Sequence, residues 1–356
     1  MSDAALDALP LMRHRLRSAH VRRGVAAALV SGAVYGLYSA FVTKAMGTGV
    51  WATWYAGPLT GTMILLLGAM ASAINDTVSA CWAVLIAAVK GKLGDLVRCL
   101  PTKPGAVMMA CALIGGPIAS TAYIVALRMA GSLIIPIAAL CPAIGAVLGR
   151  LLFKQQLNAR MLVGVFVCVG ASILIGSQSL GDGPGGSAFI GCLIALVAAF
   201  GWGLEGCIAG VGTSLIDNEI AVAIRQTTSG LTNLLILVPV LAAASGGVAQ
   251  APRLVGQAIS DGPAMLFFAV SGLFALFTFG LWYMGNARCG AALGMACNGT
   301  YSFWGPFFCW IVLGVVFGGA GWALAPVVWL GAVVMAVGIL LIAVDPVAWL
   351  TNKAAA

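Results

Sequence analysis

Apolar runs of bilayer length recur along the whole chain, parted by short polar or glycine-rich breaks. A spanning helix needs ~20 apolar residues. By that measure the pattern predicts spans at roughly 24–44, 52–74, 105–127, 132–153, 160–176, 189–212, 219–243, 264–286, 291–314 and 324–344. The expected fold is therefore an all-α polytopic membrane protein of ten transmembrane helices. The ends, 1–23 and 345–356, read as tails, and 177–188 reads as a linker between a first half at 24–176 and a second at 189–344. The apolar stretch inside 75–104, Val78 to Val89, is about half the length a span needs, so this segment is expected to lie along the membrane as an interfacial insertion.

The two halves share short patterns. Tyr123 to Arg128 (YIVALR) lies over Tyr283 to Arg288 (YMGNAR), and in the same alignment Leu133 falls on Leu293 and Gly145 on Gly305. Ala28 to Tyr38 lies over Ala195 to Glu205, which pairs Tyr35 with Trp202 and Tyr38 with Glu205. Five crossings are an odd number, so two such five-helix repeats must be inverted relative to each other, the arrangement common in secondary transporters.

Composition agrees with this reading. With 62% hydrophobic and 8% charged residues, the chain has too much apolar surface to be a soluble globule. The net charge of +8 does not call for nucleic acid, because the basic residues are scattered between spans. With the amino terminus inside, fourteen of them (Arg13, Arg15, Arg17, Arg22, Arg23, Lys90, Lys92, Arg98, Lys103, Arg150, Lys154, Arg160, Arg288 and Lys353) fall on the inner side. Lys44, Arg128 and Arg253 fall outside. That bias predicts a cytoplasmic-membrane protein with both termini cytoplasmic. His14 and His20 precede the first run and no C-x-x-C occurs, so neither metal nor cofactor is expected.

The chemistry centres on GWGLEG, Gly201 to Gly206, where Glu205 is read as the one acid inside an apolar run; Asp76 and the other acids are read as lying in the amino-terminal tail or at segment ends. A carboxylate in hydrocarbon costs several kcal/mol and calls for a cavity or a partner. One candidate partner is Arg225, at a similar depth in the seventh span, in a buried ion pair. The other is a cationic ligand, because aromatic residues gather in the same spans: Trp202, Tyr35, Tyr38, Tyr283, Tyr301 and Trp304, with Asn298 among them. Aromatic faces around one carboxylate suit an organic cation, at roughly 0.5–2 kcal/mol per ring. Singly, each aromatic reads as helix packing or an interfacial belt.

At these residues the chain resembles the drug/metabolite transporter superfamily of the EamA-repeat type, and within it the bacterial choline permeases of phosphorylcholine loci. The matching pieces are GPI at Gly116 to Ile118, CPAIGAVL at Cys141 to Leu148, GWGLEG, IRQTTS at Ile224 to Ser229, and N-x-x-Y-x-x-W at Asn298, Tyr301 and Trp304. The resemblance implies choline or a related quaternary amine held in an aromatic box with Glu205, Trp202, Tyr301 and Trp304. The expected function is secondary transport of such a cation by alternating access, by a protein that is not an enzyme and works as a monomer or homodimer. Proton-coupled export of amino acids, metabolites or drugs is the alternative, with Glu205 carrying the proton.

Overall fold

The computed structural model describes residues 3–154, 158–178, 186–212 and 215–343, with side chains described from Ala19 onward. Most of the linker and the carboxy-terminal tail at 345–356 lie outside the described residues. All the regular structure described is helical. Among the described residues, seven helices are long and apolar enough to cross a membrane: Ala19–Met46, Gly61–Val89, Lys103–Ala138, Ser187–Ala209, Asn218–Ser245, Gly262–Cys289 and Leu293–Val316. Three shorter apolar helices, Cys141–Leu152, Ala159–Ile175 and Pro326–Ile342, accompany them. Large apolar side chains point outward, with Phe166 73%, Ile173 68% and Leu235 66% exposed. Such a surface is stable facing lipid and costly facing water.

The chain opens with α1 (Asp3–Met46), which takes in the expected tail from Asp3 as well as the first apolar run. A short α2 (Gly49–Ala56) follows and is tied back where the Val50 amide donates to Asp261. The next helix corrects the expected insertion. α3 runs unbroken over Gly61–Val89, so the boundary drawn at Asn75 falls in its middle and the second span is displaced from 52–74. Trp82, expected at an interface, donates its indole N–H to the Ala269 carbonyl at 3.0 Å. Only the short exposed α4 (Leu93–Cys99) and its flanking turns remain of the insertion.

α5 (Lys103–Leu113) and α6 (Thr121–Ala130) form one continuous rod through a π-helical stretch, Ile114–Ser120. Pro117 sits inside that stretch and has no N–H for the carbonyl four residues back, which loosens the helix there. The helix that follows is interrupted: α7 (Ile134–Ala138) stops at Ala139 and α8 (Cys141–Phe153) restarts with Pro142 in its first turn. α9 (Ala159–Gly176) follows.

Next comes α10 (Ser187–Gly212). α11 (Asn218–Thr232) and α12 (Val238–Ser245) are joined by a π-helical stretch, and the short α13 (Gln250–Ser260) leads to α14 (Gly262–Cys289). Another interrupted helix comes next, α15 (Ala291–Asn298) and α16 (Tyr301–Cys309), parted at Gly299 and Thr300, before α17 (Pro326–Ala343). α1 packs along α14 and against α15 and α16, while α10 packs along α5 and α6 and against α7 and α8. α3 pairs with α11, and α9 with α17.

Candidate functional site

The α3–α11 contact is polar in the middle of the bundle. Ser72 accepts from Asn233 at 3.2 Å, Asp76 accepts from Ser229, and Ser79 accepts from Gln226 at 2.6 Å. Steps of four and three residues on α3 meet the same steps in reverse on α11, which keeps all six side chains on facing stripes of two antiparallel helices. Asn75 joins from the side, accepting from Ser271 of α14 at 2.7 Å.

This seam ends in an ion pair. Arg225 reaches across from α11 to Glu205 of α10, with Nε 2.7 Å from Oε1 and Nη2 3.2 Å from Oε2. Its remaining nitrogen, Nη1, donates to Gln226 at 2.5 Å, and its guanidinium lies 3.6 Å above the Phe279 ring. The Tyr283 hydroxyl donates to Glu205 Oε1 at 2.9 Å. Both charged side chains are fully buried. Glu205 thus takes the protein partner that the sequence offered beside the cationic ligand. The fit leaves no slack: a methyl group on Gly115 would overlap the Glu205 carboxylate.

The aromatic residues gather one helical turn from this pair. Tyr35 stacks on Tyr301 with centroids 4.3 Å apart, and meets Trp202 edge-on at 5.8 Å. Tyr38 stands edge-on to Tyr35 at 5.2 Å and stacks with Tyr123 at 6.3 Å. The Gly115 carbonyl, beside Pro117, accepts from the Trp202 indole at 3.2 Å and so fixes that ring. Beside these rings is a small cavity lined by Tyr35, Cys141, Trp202, Phe279, Asn298 and Tyr301, with Thr278 and Trp282 completing it. It gives about 20 Å³ to the centre of a water-sized sphere. That is room for roughly one water, far below the ~300 Å³ of ordinary ligand pockets.

Of the eight residues singled out in the sequence, Tyr35, Trp202, Asn298 and Tyr301 line the cavity. Asn298 also accepts from the Ser31 hydroxyl at 3.1 Å. Tyr38 lies behind Tyr35, and Glu205 and Tyr283 lie behind the Phe279–Trp282 wall. Trp304 does not line the cavity; its ring packs among Phe303, Phe307 and Phe308 at 5.3–6.0 Å. The sequence reading missed Asp76, which is buried in α3 rather than solvated at a segment end. It also missed the wall residue Phe279.

No family model matches the chain, and no curated protein does. Among solved structures it is similar to one described only as a crystal structure of a protein. The TM-score is 0.54, with 16% identity over 88% of this chain and 96% of the other. At that identity the likeness concerns the fold alone.

Proposed function

We propose that the chain is a secondary membrane transporter that carries a small organic cation of the choline-like, quaternary type by alternating access between two inverted five-helix repeats. The observation that carries this reading is the position of the cavity. Two of its contacts join residues that the internal alignment pairs with each other: Tyr35 with Trp202, and Cys141 with Tyr301, whose hydroxyl lies 3.6 Å from the Cys141 sulfur. A residue that touches its own counterpart lies near the axis relating the halves. The interface of inverted repeats, lined by broken helices, is where secondary transporters bind substrate.

Other contacts occur in exchanged pairs and support ten crossings in two inverted sets. A methyl group on Gly145 would stand 2.8 Å from Met295, and Gly305, its counterpart, faces Ile135, the counterpart of Met295. A methyl group on Gly36 would stand 2.5 Å from the Trp304 carbonyl oxygen, and one on its counterpart Gly203 would stand 2.9 Å from Ile144. The two broken crossings, parted at Ala139 and Gly299, are counterparts as well.

The aromatic lining supports a cation as cargo. Ring faces attract a weakly hydrated quaternary ammonium without any N–H to satisfy, whereas a primary amine would need acceptors and loses more hydration. The inner-membrane location, with both termini in the cytoplasm, rests on the distribution of basic residues. Binding to the purified protein tests the reading. Choline should bind more tightly than ethanolamine, and the neutral analogue with carbon in place of nitrogen should bind hardly at all. Equal affinity for choline and the neutral analogue would refute a cation site and favour export of other metabolites.

A further inference from the structure

Among the described residues the buried charged side chains are Asp76, Glu205 and Arg225. Two carboxylates therefore share one guanidinium, which in this structure is bound to Glu205 through both oxygens. Asp76 accepts from the Ser229 hydroxyl and, among the described residues, makes no ion pair. An isolated carboxylate so deep is costly, and a bound proton removes the cost. The titratable and charged groups that face Asp76 are Arg225 from α11, Glu205 from α10 and Tyr38 from α1, with Tyr283 of α14 beyond Glu205.

Arg225 is placed to serve either acid. It lies four residues before Ser229, so both point from one face of α11, roughly 6 Å apart. Its Nη1 already leads through Gln226 to Ser79, one turn along α3 from Asp76. A rotamer change in a flexible arginine covers that distance. Phe279, on which the guanidinium rests, is also a wall of the cavity, so the same movement would uncover the route from the cavity to Glu205.

We propose that Asp76, Glu205 and Arg225 form a partner-exchange switch, in which an incoming organic cation takes Glu205, Arg225 moves to Asp76, and Asp76 releases one proton. The inference rests on the cation reading above. The charges balance: one positive charge enters, one proton leaves as the Asp76 O–H bond breaks, and the buried core stays neutral before and after. Two carboxylates with one arginine are what such an exchange requires. A purely structural ion pair would need only Glu205 and Arg225.

Calorimetric titration of the purified full chain with choline and with tetramethylammonium, in buffers of different ionisation enthalpy, counts the protons. The wild type should release about one proton per cation bound, and its apparent affinity should rise about tenfold per pH unit where Asp76 is protonated in the free protein. Asp76→Asn takes away the carboxylate that receives Arg225, so it should bind the cation at least about tenfold more weakly, with no proton release and little pH dependence. Binding by the wild type without proton release, or undiminished release from Asp76→Asn, would overturn the switch and leave the cation site standing. Binding of neither cation by the wild type would overturn both. Should Asp76→Asn not fold, infrared difference spectra of wild-type protein carrying carboxyl-labelled aspartate decide the matter. The protonated aspartate band should vanish when tetramethylammonium is added, and its persistence would end the proposal.

Discussion

Glu205 accepts three hydrogen bonds, two from Arg225 and one from Tyr283, and is fully buried. Removing one member of a buried pair strands the other charge, at about 3–5 kcal/mol. Glu205→Gln should accordingly lower stability by that order in a denaturation or thermal assay. Adding Arg225→Gln should recover much of the loss, because a neutral pair no longer buries a charge. Transport should not return in the double variant, since the cation then has no carboxylate to meet. Restored uptake into proteoliposomes would assign the pair to folding alone. The four cavity-lining residues found from sequence share a simple signal: each lies within an apolar run and carries an aromatic ring or an amide. Trp304 shares it too but does not line the cavity: one turn beyond Tyr301, its ring packs against Phe303, Phe307 and Phe308 instead.

The α3–α11 pair is held at its far end by charges as well as by the buried seam. Lys92 contacts Asp217 at 3.0 Å and Glu219 at 2.8 Å, and Lys90 pairs with Glu219. Hydrogen bonds to Glu219 and Asp217 raise Lys92 above the usual lysine range. Partial burial works against ionised Asp217, but the Lys92 hydrogen bond and the Glu219 amide outweigh it and leave its carboxyl below the usual carboxylate range. A depressed carboxyl stabilises the fold above its unfolded range and loses that contribution as the pH falls through its folded value. The raised lysine contributes below the ordinary lysine range and loses its share as the pH rises through its folded value. These side chains are partly exposed, so Asp217→Asn should cost less than about 1 kcal/mol, and the cost should shrink in high salt. A loss independent of salt and pH, read by thermal unfolding, would contradict the ion-pair account. The seam itself explains why the second span was misjudged. Ser72, Asn75, Asp76 and Ser79 resemble the polar exit of a helix from the membrane when α3 is viewed alone. Their partners sit on α11 and α14, far along the chain. The legible clue was the matching step of four and three in Ser72, Asp76, Ser79 and in Gln226, Ser229, Asn233, two stripes that complete each other.

At the scale of the whole molecule, the apolar runs were enough to foresee an all-helical membrane protein, because hydrocarbon leaves few ways to satisfy a backbone. Helix breaks and π-helical stretches were harder to foresee, since Pro and Gly are common in membrane helices whether or not they bend them. The cavity carries a consequence in time. A trimethylammonium group cannot enter a space of about 20 Å³ by diffusion alone, so the walls must part first and the ligand must wait for them. Capture by a rarely open form has a speed limit that more ligand cannot raise. Followed in a stopped-flow instrument through the fluorescence of Trp202 and Trp282, choline binding should accelerate with concentration and then level off at the rate of opening. A rate that climbed in proportion to choline up to the diffusion limit would mean that the site stands open for much of its time.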